Sequence, residues 1–217
     1  MGFYRRSLPH LFIPGYPYFI TTRLNKSIPR SKLKKLHEDF EREWYAISGM
    51  ENFEELEAKL QRDFFKQYDK LLHENYLGPH WLINDSIAQI IAESLHWGDE
   101  KRYELIAYTI MPNHIHIVMK PDVKEKENDN SKNKKSDIKY RLAEILESLK
   151  KYTAREANKV LKRKGRFWQH ESYDHLLRNK KELHRSIRYT LMDAVRSGYV
   201  LNWQDYKWNY LNDKYQL

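Results

Sequence analysis

"YELIAYTIMPNHIHIVMKP", residues 103–121, decides how this chain is read. Its aliphatic and aromatic runs at 103–111 and 114–120 meet at Pro112 and Asn113, which predicts two strands of a hairpin. Successive side chains of a strand point to opposite faces, so His114 and His116 share one face while Ile115 and Ile117 take the other. Two imidazoles on one face can hold a metal ion if a further donor, best an oxygen, joins them. The same pair can also sit in a core, hydrogen-bonded, with no ion at all.

Working outward, "YPYFITTRL" (16–24) is aromatic and β-branched and predicts a first strand. Residues 27–79 hold two charged helical patterns separated by Ser48 and Gly49, which is the pattern of a helical hairpin inserted after that strand. "NDSIAQIIAESLHWG" (84–98) carries a cap at Asn84 or Asp85, an apolar stripe of Ile87, Ile90, Ile91 and Leu95, and a stop at Gly98. Residues 121–137 are almost devoid of apolar side chains and predict a mobile charged loop. A long helix follows, with Leu142, Ile145, Leu146, Leu149 and Val160 toward the core, then a short strand, "ESYDHLLR" (171–178). Asn179 and Glu182 stand in capping-box spacing at the start of a last helix that ends at Gly198.

The order βαββαβα predicts an α+β chain: a ferredoxin-like antiparallel sheet with packed helices, an inserted helical hairpin and a C-terminal helix. A fold of this kind hosts many functions, so the chemistry must be found in particular residues.

With 39 Lys plus Arg against 30 Asp plus Glu, the formal net charge is +9, which suits a polyanionic partner such as nucleic acid. There is no cysteine, which excludes disulfides, thiolate-bound zinc and a thiol nucleophile. Neither a signal-peptide apolar core nor a membrane-length apolar run is present, and the expectation is a soluble, cytoplasmic protein with no membrane partner.

On the last helix Leu183, Ile187 and Leu191 form the core stripe, while Arg185, Tyr189 and Asp193 recur four apart on another surface. A tyrosine and a carboxylate at this spacing are neighbours and can aim at one site, or can simply face water. On the preceding helix Lys151, Arg155, Lys159 and Arg163 are also four apart, with Lys150 beside them, and such a cationic face can track a phosphate backbone. Arg178 is a further candidate for a phosphate contact. His170, His175 and His184 fix no common point and are taken as scattered structural histidines.

Taken together, "YTIMPNHIHIVMKP", "LAEILESLKKYTAREANKVLKRKGRFWQHESYDHLLRNKKEL", "RYTLMDAVRSGYV" and "NWQDYKWNYL" resemble the REP-associated tyrosine transposases, within the single-tyrosine HUH nucleases. "PGYPYFITTRL" and "FFKQYDKLLHENYLGPHWL" support the resemblance, which spans most of the chain as one domain, 1–217. It implies that His114 and His116 are metal ligands and that Tyr189, on the C-terminal helix, is the nucleophile joined to a 5′ phosphate of single-stranded DNA. Asp193 stands where the family usually carries an amide that completes the metal site; the family commonly reads Asn-Pro there, and this chain reads Asp193-Ala194. The implied cofactor is a divalent metal, Mg2+ or Mn2+, the implied partner single-stranded or hairpin DNA, and the implied working unit a monomer. The alternative is a domesticated relative that binds DNA and has lost cleavage; an RNA-binding module of similar fold would instead show aromatics where the sheet places His114 and His116.

Overall fold

The computed structural model describes residues 2–5, 9–74, 78–122 and 141–217. At its centre β5 (His114–Pro121) pairs antiparallel with β3 (Tyr18–Arg23) on one side and β4 (Tyr103–Ile110) on the other. β6 (Tyr173–Leu176) adds to the free side of β3 and β7 (Asn209–Leu211) to that of β4, giving the order β6-β3-β5-β4-β7. The four strands β6-β3-β5-β4 have the ferredoxin-like order, as the alternation of strands and helices predicts. Two short strands, β1 (Gly2–Arg5) and β2 (Pro9–Phe12), form a separate hairpin.

The alternation in β5 divides the protein into two layers. Ile115, Ile117 and Met119 face a core shared with α3 (Asp85–Gly98) and α4 (Arg141–Val160), while Val118 faces a second core shared with α5 (Lys180–Leu191). A bulge in β4 between Leu105 and Ala107 lets Ile106 and Ala107 both join the second core. His114 and His116 lie on the α5 face, in register with Arg23 and Thr21 of β3; His116 also stands opposite Thr109 of β4.

Local signals explain the helices on each face. The Asn84 side chain accepts from the amides of Ser86 and Ile87 to start α3. Asn179 caps α5 through the Glu182 amide, and the Glu182 carboxylate reaches back to the Arg178 amide, so the expected capping box is present one step out of its usual partner. Gly98 matters for closeness: a Cβ there would overlap the ring and hydroxyl of Tyr103, which donates to the Leu95 carbonyl. Gly98→Ala is therefore expected to lower the unfolding free energy by about 1–3 kcal/mol in denaturant titrations.

The inserted hairpin consists of α1 (Arg30–Ile47) and α2 (Phe53–His73), closed on its own small core of Ile28, Leu36, Phe64, Tyr68 and Leu72. It lies against the α5 face, where Phe65 and Tyr173 pack with 4.7 Å between ring centroids and Arg23 Nε donates to the Tyr68 hydroxyl at 3.0 Å.

Two expectations are corrected, and a third lies mostly beyond the described residues. Val160 is exposed, because it is the last residue of α4, past the region that α3 covers. The last helix is not continuous to Gly198: α5 stops at Leu191, the Met192 amide turns to the carbonyls of Arg188 and Thr190, and a short α6 (Asp193–Arg196) follows. Most of the expected 121–137 loop, from residue 123 onward, lies outside the described residues. No helix among the described residues is long and apolar enough to cross a membrane.

Candidate functional site

His114 and His116 are both fully enclosed, and their ring centroids are 4.7 Å apart. Each ring is held through Nδ1: His116 Nδ1 bonds the Thr21 hydroxyl at 2.8 Å and His114 Nδ1 bonds Asn113 Oδ1 at 2.7 Å. Both Nε2 atoms are thereby turned into the space between β5, α2 and α5. Asp193 reaches the same space, its Oδ2 lying 3.2 Å from His114 Nε2 and 3.5 Å from His116 Nε2. The structure thus brings His114, His116 and Asp193 together as one cluster with ligand spacing.

Two residues that the sequence reading did not single out complete the cluster, and both come from the inserted hairpin. Asp69 Oδ1 lies 3.2 Å from His116 Nε2, and His73 Nε2 lies 3.3 Å from Asp69 Oδ2 and 3.2 Å from Asp193 Oδ1. They are four apart in "YDKLLH", so one helix face presents a carboxylate and an imidazole together; that spacing was the available signal.

Tyr189 is at the edge of this cluster rather than on an open surface. Its hydroxyl donates a short hydrogen bond to Asp69 Oδ2, and its ring packs edge-on against Phe19 and Phe65. The helical periodicity placed Tyr189 away from the α5 core stripe, yet its ring packs at the edge of the same core, because Phe19 of β3 and Phe65 of α2 reach round to it, tertiary partners invisible to periodicity. Arg185, on the same stripe, is exposed. Arg196, also not singled out, lies over the Tyr189 ring at 4.0 Å and donates to Asp193 Oδ1 at 2.8 Å.

The charges in this enclosed space shift one another. Burial alone would raise the carboxyls of Asp69 and Asp193, but hydrogen bonds and charge from the facing histidines outweigh it and hold both well below the usual carboxylate range. Burial opposes a proton on His73, yet Asp193 and Asp69 together raise its pKa to about 10. His114 is pushed down to about 4 by burial, which Asp193 only partly offsets. The Tyr189 hydroxyl is raised above the ordinary phenol value by burial, then by the charge and hydrogen bond of Asp69.

The donor set fits a metal ion. His116 Nε2, His73 Nε2 and Asp69 Oδ1 are buried without a properly aligned hydrogen bond although opposite groups stand close, the arrangement of atoms aimed at a common point rather than at each other. A cleft of about 470 Å³, with Lys70, His73, Asn113, His114, Arg196 and Ser197 in its wall, reaches the cluster from outside.

The cationic stripe is elsewhere. α4 covers the opposite face of the sheet, so Lys151, Arg155 and Lys159 are exposed on the far layer, and they pair with Glu147 and Glu156. Arg163 bonds Asn158 and lies 4.0 Å over the Trp81 ring. Lys150 is turned inward: its ammonium donates to the carbonyls of Gln169 and His170, tying α4 to the segment before β6, and burial lowers its pKa to about 8. Its ammonium is engaged within the fold. Arg178 is exposed just before α5.

No family model matches the chain. A solved structure of a REP-associated tyrosine transposase bound to a REP hairpin aligns over 96% of this chain and 82% of its own, with a TM-score of 0.46 and 18% identity. A Haemophilus influenzae protein named as a candidate REP-associated tyrosine transposase is 30% identical over 100 residues, 45% of this chain and 53% of that relative, so the chain is matched to about half the relative's length. Over that shared stretch the chain is similar to a REP-associated tyrosine transposase.

Proposed function

We propose that this protein cleaves and rejoins single-stranded DNA at hairpins formed by palindromic repeats, through a covalent 5′-phosphotyrosine made by Tyr189. The observation that carries the reading is the hydrogen bond from the Tyr189 hydroxyl to Asp69, which fixes a phenol oxygen at the edge of two overlapping donor groups, Asp69, His73 and His114, and His114, His116 and Asp193. The curated relative's name supports the same reading.

In this scheme the Tyr189 oxygen attacks the scissile phosphorus, the bond from phosphorus to the 3′ oxygen breaks, and the departing strand ends in a 3′ hydroxyl. The phenol's pKa is held high and that of Asp69 low, so the proton stays on Tyr189 until the new phosphorus–oxygen bond forms, passes to Asp69 Oδ2 and is released from there to water, while the departing 3′ oxygen takes a proton from water to become the hydroxyl. The aromatic walls of Phe19 and Phe65 hold the ring, and Arg196 fixes it from above while neutralising part of the Asp193 charge. A divalent ion, Mg2+ or Mn2+, held by His114, His116 and Asp193 would supply positive charge to the non-bridging phosphate oxygens. Because phosphotyrosine keeps the phosphoester bond energy, attack by another 3′ hydroxyl rejoins strands without ATP. The chain acts as a monomer, Tyr189 serving the cluster of its own fold. Lys151, Arg155, Lys159, Arg163 and Arg178 add backbone contacts outside the cleft.

A second reading has its own support: two carboxylates, Asp69 and Asp193, stand where a phosphate must approach, and that repulsion suits a DNA-binding protein that has lost cleavage. One experiment separates the two. The protein is incubated with hairpin DNAs from the flanks of its own gene, with Mn2+ or with chelator, and denaturation-resistant adducts are mapped by mass spectrometry. An adduct on Tyr189 that chelator prevents is the expected result; tight hairpin binding with no adduct overturns cleavage and leaves the binding protein.

A further inference from the structure

We infer that the inserted helical hairpin is an arm of the metal site, with Asp69 and His73 joining His114, His116 and Asp193 in a pocket that takes a first-row transition ion in preference to Mg2+. The inference deepens the proposed metal dependence but does not rest on any step at DNA.

Three imidazoles are prepared in the same way. His114 is held through Nδ1 by Asn113, His116 by Thr21, and His73 by the Ser197 hydroxyl at 3.1 Å. In each ring this leaves Nε2 directed inward, which is how ligand histidines are oriented by their supporting groups. The separations from these Nε2 atoms to the facing carboxylate oxygens run from 3.2 to 3.5 Å. Donors about 2.1 Å from a shared ion sit about 3.0 Å apart at adjacent octahedral corners and about 3.4 Å apart in a tetrahedron, close to these nitrogen–oxygen separations, and the ligand atoms of Asp69, His73 and His114, and those of His114, His116 and Asp193, all lie within 4.8 Å of one another in each set.

The hairpin is also tied to the histidine strand by more than its ligands. Asn113, whose Oδ1 orients His114, uses its Nδ2 to donate to the Leu72 carbonyl at 2.8 Å, one residue before His73. A single side chain therefore sets both the strand ligand and the end of α2. Asp69 has one oxygen toward His116 and the other on the Tyr189 hydroxyl, so the same carboxylate would hold ion and phenol in fixed relation.

The donor chemistry selects the ion. Mg2+ favours oxygen ligands and gives up water reluctantly, whereas imidazole nitrogen suits Mn2+, Co2+ and Zn2+ progressively better. A pocket with as many as three nitrogens is poorly matched to Mg2+.

The test uses the full chain, stripped with chelator and desalted, titrated calorimetrically with MnCl2, ZnCl2 or MgCl2, with amide hydrogen exchange followed across α2. One ion per chain is expected, Mn2+ binding at least about a hundredfold more tightly than Mg2+ and Zn2+ more tightly still. His73→Ala is expected to weaken Mn2+ roughly 10- to 100-fold, and Mn2+ to slow exchange in α2 of the wild type. His73→Gln, which keeps a polar side chain of similar size, serves if the alanine variant fails to fold. Equal Mn2+ affinity in wild type and variant, Mg2+ binding as tight as Mn2+, or exchange in α2 indifferent to the ion each overturns the inference. Metal binding as described, with no DNA adduct, would sink the cleavage reading and leave this one standing; an adduct with His73-independent metal binding would do the reverse.

Discussion

Tyr189→Phe is expected to bind hairpin DNA as the wild type does and to form no covalent adduct, with strand cleavage reduced at least about a thousandfold. The substitution keeps the ring between Phe19 and Phe65 and beneath Arg196, and removes only the hydroxyl bonded to Asp69. Asp69 retains His73 and His116 as neighbours, so the unfolding free energy should change by no more than about 1–2 kcal/mol. Gel analysis under denaturing conditions decides the matter: a persisting adduct would move the nucleophile to another residue.

The second large effect concerns stability alone. Trp168 is buried against Phe167, and its indole nitrogen donates to the Thr153 hydroxyl at 2.9 Å, locking α4 to the segment that leads into β6. Trp168→Ala should lower the unfolding free energy by about 3–5 kcal/mol, measured by chemical denaturation. Hairpin affinity, corrected for the folded fraction, should be unchanged; a specific loss of affinity would mean that the indole reaches DNA despite its burial.

These residues also show what the sequence could and could not disclose. The β3, β4, β5 and β6 segments were legible because strand alternation and turn residues are local, and α3 and α5 because their caps are local too. The His114 and His116 pair was legible for the same reason: a two-residue period fixes a shared face. The β7 strand was missed because three residues, "NYL", carry no period of their own and pair only because β4 offers an edge. Asp69 and His73 were missed because a helix pattern states which residues share a face but not what that face meets. The stripe from Lys151 to Arg163 was seen as a helix face, yet nothing in its spacing could place it on the opposite layer from Tyr189. Lys150, adjacent in sequence, was counted with it and proved to be an internal tie, since one residue's step around a helix separates solvent from core.

The cluster has a temporal side that its geometry implies. Asp69, His73, His114 and His116 all precede residue 122, while Tyr189 and Asp193 follow residue 188. During synthesis the histidine-bearing half leaves the ribosome first and can begin to fold while the other half is still being made. A nascent chain that has not yet reached residue 189 therefore has these imidazoles but lacks the phenol that the proposed strand cleavage requires.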